Sequence, residues 1–369
     1  MKDKLILLTI CLSLFGGTMM GQPAKPAAPA TPVTPATPTT PVTPLTGLDN
    51  YKIPVNLKGA KIGKVLAVAG QKKMKVSIAK DTSGLFRISS KGVISLKKRA
   101  QLASSAPAFR YGITLKINGV TKDFELVKDE FIKNAVVAHR GAWKNFDVSQ
   151  NSLSSLKNAI ALGCHSSEFD VWMSQDGVPV CNHDPSIGGK VVEQTTVAEL
   201  VKVPLKKNDF VPTLEQYLLT AKTQNKTLLF LEIKSSLISQ ERTLELTEAI
   251  VKMVHDLNAQ AWVNYISFNF GSLLRVMELD PAAKTAYVSD DKTVKEVADA
   301  KMWSIDFNGK MYQADPTLIK QAHDRGLVVN VWTINDPEQM KLLLKHGVDV
   351  ITTNEPEILL EILKNSAPQ

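Results

Sequence analysis

The sequence predicts an α/β fold, a (β/α)8 TIM barrel preceded by a small all-β sandwich domain, and three observations carry that prediction. After Asn134, strand-like apolar runs alternate with helical patterns. There are eight such runs, at residues 135–138, 167–171, 227–232, 263–267, 285–288, 303–306, 327–332 and 348–352. They fit into about 230 residues, the length at which eight strand–helix units close into a barrel. A doubly wound open sheet is the alternative that the same alternation allows.

The elements follow in chain order. Residues 1–21 carry Lys2 and Lys4, an apolar run over residues 5–15, and then small residues before Gln22, which is the layout of a secretory signal peptide. The run is shorter than the roughly 20 residues a membrane span needs. It therefore implies export to the periplasm or the cell surface. Cys11 suggests lipidation, but Ile10 stands where a lipoprotein signal carries a small residue. Residues 22–46 are almost entirely Pro, Thr, Ala and Val, a composition that favours an extended spacer and suits a tether to a membrane or cell surface.

Residues 48–130 alternate polar and apolar positions, as in Lys73-Met74-Lys75-Val76-Ser77-Ile78 and Ile113-Thr114-Leu115-Lys116-Ile117, between Gly, Asp and Asn turns. This stretch resembles a cadherin-like or bacterial immunoglobulin-like sandwich repeat, without the acidic calcium motifs of cadherins. The resemblance implies a spacer or a module that docks a partner. The catalytic-type barrel is expected over residues 134–364. Its helices include 242–257 and 316–325, the latter stopped by Gly326.

The formal net charge is +8, yet the lysines are scattered and form no basic stripe interleaved with aromatics. Nucleic acid is therefore excluded as a partner, and attraction of small anions is the reading that remains. Cys164 and Cys181 lie on the two arms of a hairpin turning at Asp176-Gly177. About seven residues of strand, roughly 20 Å, would separate them, so they are expected to stay unpaired.

Polar residues that end the strands of a parallel barrel converge on one mouth. His139 and Arg140 end the first run, Glu168 and Asp170 sit in the second, and His183 closes its hairpin return. Glu232 and Lys234 end the third run, Ser267 the fourth, and Trp332 the seventh. Glu168 and Asp170 are two apart, so both point to one face of a strand. With Glu232 they form a three-carboxylate oxygen site suited to a hard divalent cation such as Ca²⁺ or Mg²⁺, or else a buried pair bonded to Lys234 or Arg140. Two histidines beside them suit acid/base transfer, and Arg140 suits a bidentate grip on phosphate.

The motifs Ala138-His139-Arg140-Gly141, Gln150-Asn151-Ser152, Glu168-Phe169-Asp170-Val171 and Asp176-Gly177-Val178-Pro179-Val180 leading to His183-Asp184 resemble the glycerophosphodiester phosphodiesterase family. So do Pro212-Thr213-Leu214-Glu215, Leu231-Glu232-Ile233-Lys234, Ser267-Phe268, Val331-Trp332-Thr333-Ile334-Asn335 and Thr353-Asn354-Glu355-Pro356. The resemblance implies hydrolysis of a small-molecule glycerophosphodiester to glycerol 3-phosphate and an alcohol. It makes His139 and His183 the acid/base pair, Glu168, Asp170 and Glu232 the metal ligands, and Arg140 and Lys234 phosphate contacts, with Trp332 on the pocket wall. It does not say which histidine takes which role. Two departures stand out. Ser149-Gln150-Asn151-Ser152 replaces Pro-Glu-Asn-Thr, so Gln150 is a neutral acceptor for Arg140 where the family has a carboxylate, and residues 185–189 depart from the usual loop after the second histidine. A phosphatidylinositol-type phospholipase C and a non-catalytic phosphodiester-binding barrel are the competing readings.

Overall fold

Eight parallel strands close on themselves between residues 136 and 353. They are β1 (Val136–Ala138), β2 (Ser166–Met173), β3 (Leu228–Ile233), β4 (Val263–Ser267), β5 (Thr285–Tyr287), β6 (Ser304–Asn308), β7 (Val328–Trp332) and β8 (Val350–Thr353). Each pairs with the next, and β8 returns to β1 through Ile351↔Val136 and Thr353↔Ala138. That closure decides against the open sheet. The computed structural model describes residues 43–66 and 74–366, so the expected signal peptide and nearly all of the expected spacer lie outside the described residues.

The strands read as continuous apolar runs because both of their faces are buried. Phe169, Val171, Leu229 and Leu231 point outward beneath the helices. Val137, Phe230, Ile266, Ala286, Val288 and Val350 fill the interior. Side-chain caps define the helix starts: Ser152 accepts from Ser155 N ahead of Leu153–Leu162, and Ser239 from Arg242 N ahead of Gln240–Asp256. Thr317–His323 stops ahead of Gly326, whose φ of 75° is the left-handed conformation glycine tolerates best. The Asp176-Gly177 turn lays Pro179–Cys181 antiparallel on β2 with Cys181 opposite Val171. Both Cys164 and Cys181 are buried, free thiols.

The all-β region has two sheets. One orders Lys52–Ile53, Val120–Lys128, Arg110–Ile117 and Val76–Asp81, and the other Lys61–Lys64, Val93–Leu96 and Phe86–Ile88. Positive φ at Asn118 and Gly119 makes the tight turn that joins the two longest strands. This region packs on the end of the barrel where the strands begin. Lys222 Nζ lies 3.0 Å from Glu125 Oε1, Asn225 Nδ2 donates to Lys128 O, and Phe131 meets Trp262 edge-on. Leu45, at the end of the expected spacer, already donates its N–H to Leu279 O. Among the described residues no helix is long and apolar enough to cross a membrane.

Lys52 sits at this junction with its Nζ 4.4 Å from the Phe131 ring centre. Burial and then the charge of Lys284 push its ammonium down from 10.5 to about 8. The unfolded chain therefore holds that proton more tightly than the folded one, so stability should rise as pH climbs from about 8 to 10.5. Lys52→Met is expected to raise Tm at pH 7 and to flatten that rise, which thermal melts between pH 7 and 10 will show.

Candidate active site

The catalytic-type residues gather where the strands end, on the side of the barrel away from the all-β region. Past β1 the chain turns sharply: Arg140 has φ 57° and Gly141 φ 78°. This turn points the Arg140 N–H at Glu168 Oε2, 2.8 Å away. A non-glycine residue at left-handed φ stores strain, and such strain collects at functional sites. Gly141 is required twice over, since a Cβ there would also lie 2.4 Å from Ser155 Oγ. Gly141→Ala is expected to lower stability by about 2–4 kcal/mol and to cut turnover by displacing Arg140, as melts and kinetics on the one variant will show.

His139 is held by Asn354, whose Oδ1 lies 2.8 Å from its Nδ1. An acceptor there places the proton on Nδ1 and leaves Nε2 basic, 4.0 Å from Glu168 Oε2. Burial, followed by the charge of Arg140, pushes His139 down to about 4. His183 comes from the hairpin return. Its Nδ1 contacts Asp184 Oδ1 at 2.7 Å, Trp172 Nε1 donates to its carbonyl, and its side chain is 33% exposed at the mouth.

Glu168 and Asp170 lie on the interior face of β2, and register sets Glu232 beside Asp170. All three are buried, and one oxygen of each lies within 4.8 Å of the others. Lys234 Nζ donates to Asp170 Oδ1 at 3.1 Å and Glu232 Oε1 at 2.8 Å, while Arg140 Nε stands 3.6 Å from Asp170 Oδ2. Burial first, then Asp170 and Glu232, push Glu168 well above the carboxylate range. Burial and the Asp170 charge raise Glu232 to about 7. Burial also pushes Asp170 upward, but Lys234, His183 and Asn151 outweigh it and hold that carboxyl low.

Three carboxyl groups share one buried site with two cations, their mutual repulsion and burial push Glu168 and Glu232 upward, and Glu168 Oε1 has no hydrogen-bond partner. That is the donor set and the unmet oxygen that a hard divalent cation fits. The residues present therefore suit a metal, and Glu168, Asp170 and Glu232 are those that would hold it.

These groups open into a cleft lined by His139, Arg140, Glu168, His183 and Glu232, by Ile266, Phe268, Val288 and Trp332, and by Asp306, Thr333 and Thr352. Trp332 is fixed by Nε1–H donation to Asp306 O and by an edge-on contact with Phe268. Gln150 accepts from Arg140 Nη1 at 2.8 Å, so the amide does orient the guanidinium, without the charge of a carboxylate.

Ser267, expected at the mouth, is instead fully buried. Its hydroxyl donates to Ile233 O and accepts from Asn269 N, binding two strand ends together, and Phe268 lines the cleft in its place. Reasoning from the sequence missed Asn151, which donates to Asp170 Oδ2 and accepts from Asp170 N, and also Asn354 and Asp306. Asn151 and Asn354 lie within the family-like motifs, where an asparagine among charged neighbours is the available signal.

A family model described as the glycerophosphoryl diester phosphodiesterase family matches residues 139–358. A glycerophosphodiester phosphodiesterase from Caldanaerobacter subterraneus is 27% identical over 246 residues, covering 63% of this chain and 99% of that relative. The crystal structure of a glycerophosphodiester phosphodiesterase from Parabacteroides distasonis superposes with a TM-score of 0.62 at 34% identity, over 64% of this chain and all of that one. An Oleispira antarctica phosphodiesterase in complex with the product sn-glycerol-3-phosphate shares the fold, at TM-score 0.54 and 22% identity over 63% of this chain and 97% of that one. With its closed barrel and the extent of the family match, the chain belongs to the glycerophosphoryl diester phosphodiesterase family and is an enzyme of that class.

Proposed function

We propose that this phosphodiesterase releases glycerol 3-phosphate by two-histidine acid/base catalysis at a divalent-metal site. The observation that carries the reading is the convergence of His139, His183 and Arg140 on one cleft with a buried carboxylate triad in which Glu168 Oε1 is unpartnered. The product named for the Oleispira relative supports the same substrate class. Ca²⁺ or Mg²⁺ held by Glu168, Asp170 and Glu232 would supply Lewis-acid stabilisation of charge on the phosphate and its attacking oxygen.

Arg140, steadied by Gln150, grips phosphate oxygens, and Lys234 adds positive charge beside them. His139 is buried and neutral with Nε2 free, so it takes the proton from the glycerol hydroxyl next to the phosphate as that oxygen attacks phosphorus. His183 stands at the open mouth, where the alcohol departs, and protonates it. Water then opens the cyclic phosphodiester, with the two histidines exchanging roles. The export expected from residues 1–21 would set this chemistry in the periplasm or at the cell surface.

The test is the purified protein with glycerophosphocholine or glycerophosphoethanolamine, in Ca²⁺, in Mg²⁺ and in chelator, with glycerol 3-phosphate followed. Cation-dependent release is expected. Cation-independent release would overturn the metal assignment. Binding of these diesters without turnover would favour a recognition barrel, and turnover of inositol phospholipids alone would favour the phospholipase C reading.

A further inference from the structure

The cleft contains one ionisable side chain that the mechanism above does not use. Asp306 lies on β6, four strands from β2 in either direction around the ring of eight, and therefore across the barrel from Glu168 and Asp170. It is 1% exposed, lines the cleft, and its Oδ1 has no hydrogen-bond partner. No lysine or arginine pairs with it among the described residues. Its strand neighbour Asn330 hydrogen-bonds it, but that amide also spans to Thr352. Burial pushes its carboxyl up to about 8.

A buried carboxyl with an unmet oxygen is destabilising, and an apolar residue would fill a barrel interior better. Its register partner Asn330 is polar, but Ile266, Ala286, Val288 and Val350 show that much of the barrel interior is filled by apolar side chains. Groups that lower stability and face a substrate cleft are those that function retains.

On the proposed reading, the substrate brings two free glycerol hydroxyls. The one next to the phosphate is engaged by His139 and the triad. The terminal one extends away from them, toward the rest of the lining, which is Ile266, Phe268, Val288, Trp332, Thr333 and Thr352 together with Asp306, and of these Thr352 is already hydrogen-bonded to Asn330. An unpaired hydroxyl there would be desolvated without return.

We infer that Asp306 is a positioning residue that binds the terminal hydroxyl of the glycerol moiety through its unpaired Oδ1, making it the specificity determinant for glycerol over other 1,2-diol phosphodiesters. The inference rests on the proposed function for the orientation of the substrate.

The experiment compares glycerophosphocholine with its analogue in which the terminal CH₂OH is a methyl group. That analogue keeps the attacking hydroxyl and loses only the group assigned to Asp306. The wild-type protein is expected to prefer glycerophosphocholine by about 30-fold or more in kcat/KM, the effect of stranding a buried acceptor. Asp306→Leu should reduce that preference below about 3-fold, chiefly by slowing the glycerol substrate, while Tm stays level or rises. Should Asp306→Leu fail to fold, Asp306→Ala reads the same ratio, and Asp306→Asn, which keeps an acceptor oxygen, should restore part of it.

Thermal shifts by glycerol 3-phosphate and by propane-1,2-diol 1-phosphate give a second readout that needs no turnover. If the wild type hydrolyses neither diester, the proposed function falls, and the ligand pair alone still decides the role of Asp306. A variant that keeps the wild-type preference, or that slows both substrates equally, overturns the inference.

Discussion

His183→Ala is expected to lower kcat for glycerophosphodiester turnover by about 10³-fold while leaving Tm within a degree or two of wild type. The size is that of removing a positioned general acid. The silence in stability follows from geometry. The imidazole is one-third exposed, and its bond to Asp184 joins two residues already adjacent in the chain, so little packing is lost. Its backbone is held independently by Trp172 Nε1. His139→Ala should lose comparable activity but also some stability, because that ring is more buried and fastens the β1 end to Asn354. Glycerol 3-phosphate release and thermal melts on both variants give the comparison. Near-wild-type turnover by His183→Ala would remove it from the acid/base pair while leaving family membership intact.

Glu168→Gln is expected to abolish measurable turnover and, in chelator, to make the protein more stable. Without a cation, three buried carboxylates face only Lys234 and Arg140, and Glu168 Oε1 is unpaired. The amide keeps an acceptor for the Arg140 N–H and places a donor toward the other two carboxyl groups without the burial and repulsion that push the Glu168 carboxyl up, a gain of about 1–2 kcal/mol. With Ca²⁺ or Mg²⁺ the ranking reverses. A cation at 100 times its Kd stabilises the wild type by about 2.7 kcal/mol, and the variant should gain almost nothing. Melts of both proteins with and without cation separate the outcomes. An undiminished cation response in Glu168→Gln would place the metal elsewhere.

Much of this site could be read without coordinates because parallel strands impose a simple rule. Each buried strand is an uninterrupted apolar run, so a charged residue inside or just beyond it is conspicuous, and alternation puts Glu168 and Asp170 on one face. His139, Arg140, Glu232 and Trp332 stand out in the sequence for the same reason. That rule fails where the chain leaves the strand. Ser267 ends β4 as expected, but its hydroxyl is taken up by Ile233 O, a pairing set by how two strand ends meet rather than by either sequence. Asp306 was legible as part of an apolar run, yet its unmet oxygen depends on what Asn330 and Thr352 across the next strands offer it.

Periodicity and local chemistry, acting over a few residues, were enough to determine eight strands alternating with helices, their all-β companion and the identity of most chemical groups. Whether the sheet closed was a question of β8 meeting β1, more than 200 residues apart in the chain, and no local pattern encodes that meeting. The same long-range closure decided that Lys234 sits between Asp170 and Glu232, that Gln150 steadies Arg140, and that Asp306 faces the triad across the barrel. Charge balance and desolvation are properties of surroundings assembled from distant segments, and they exist only once the chain has folded.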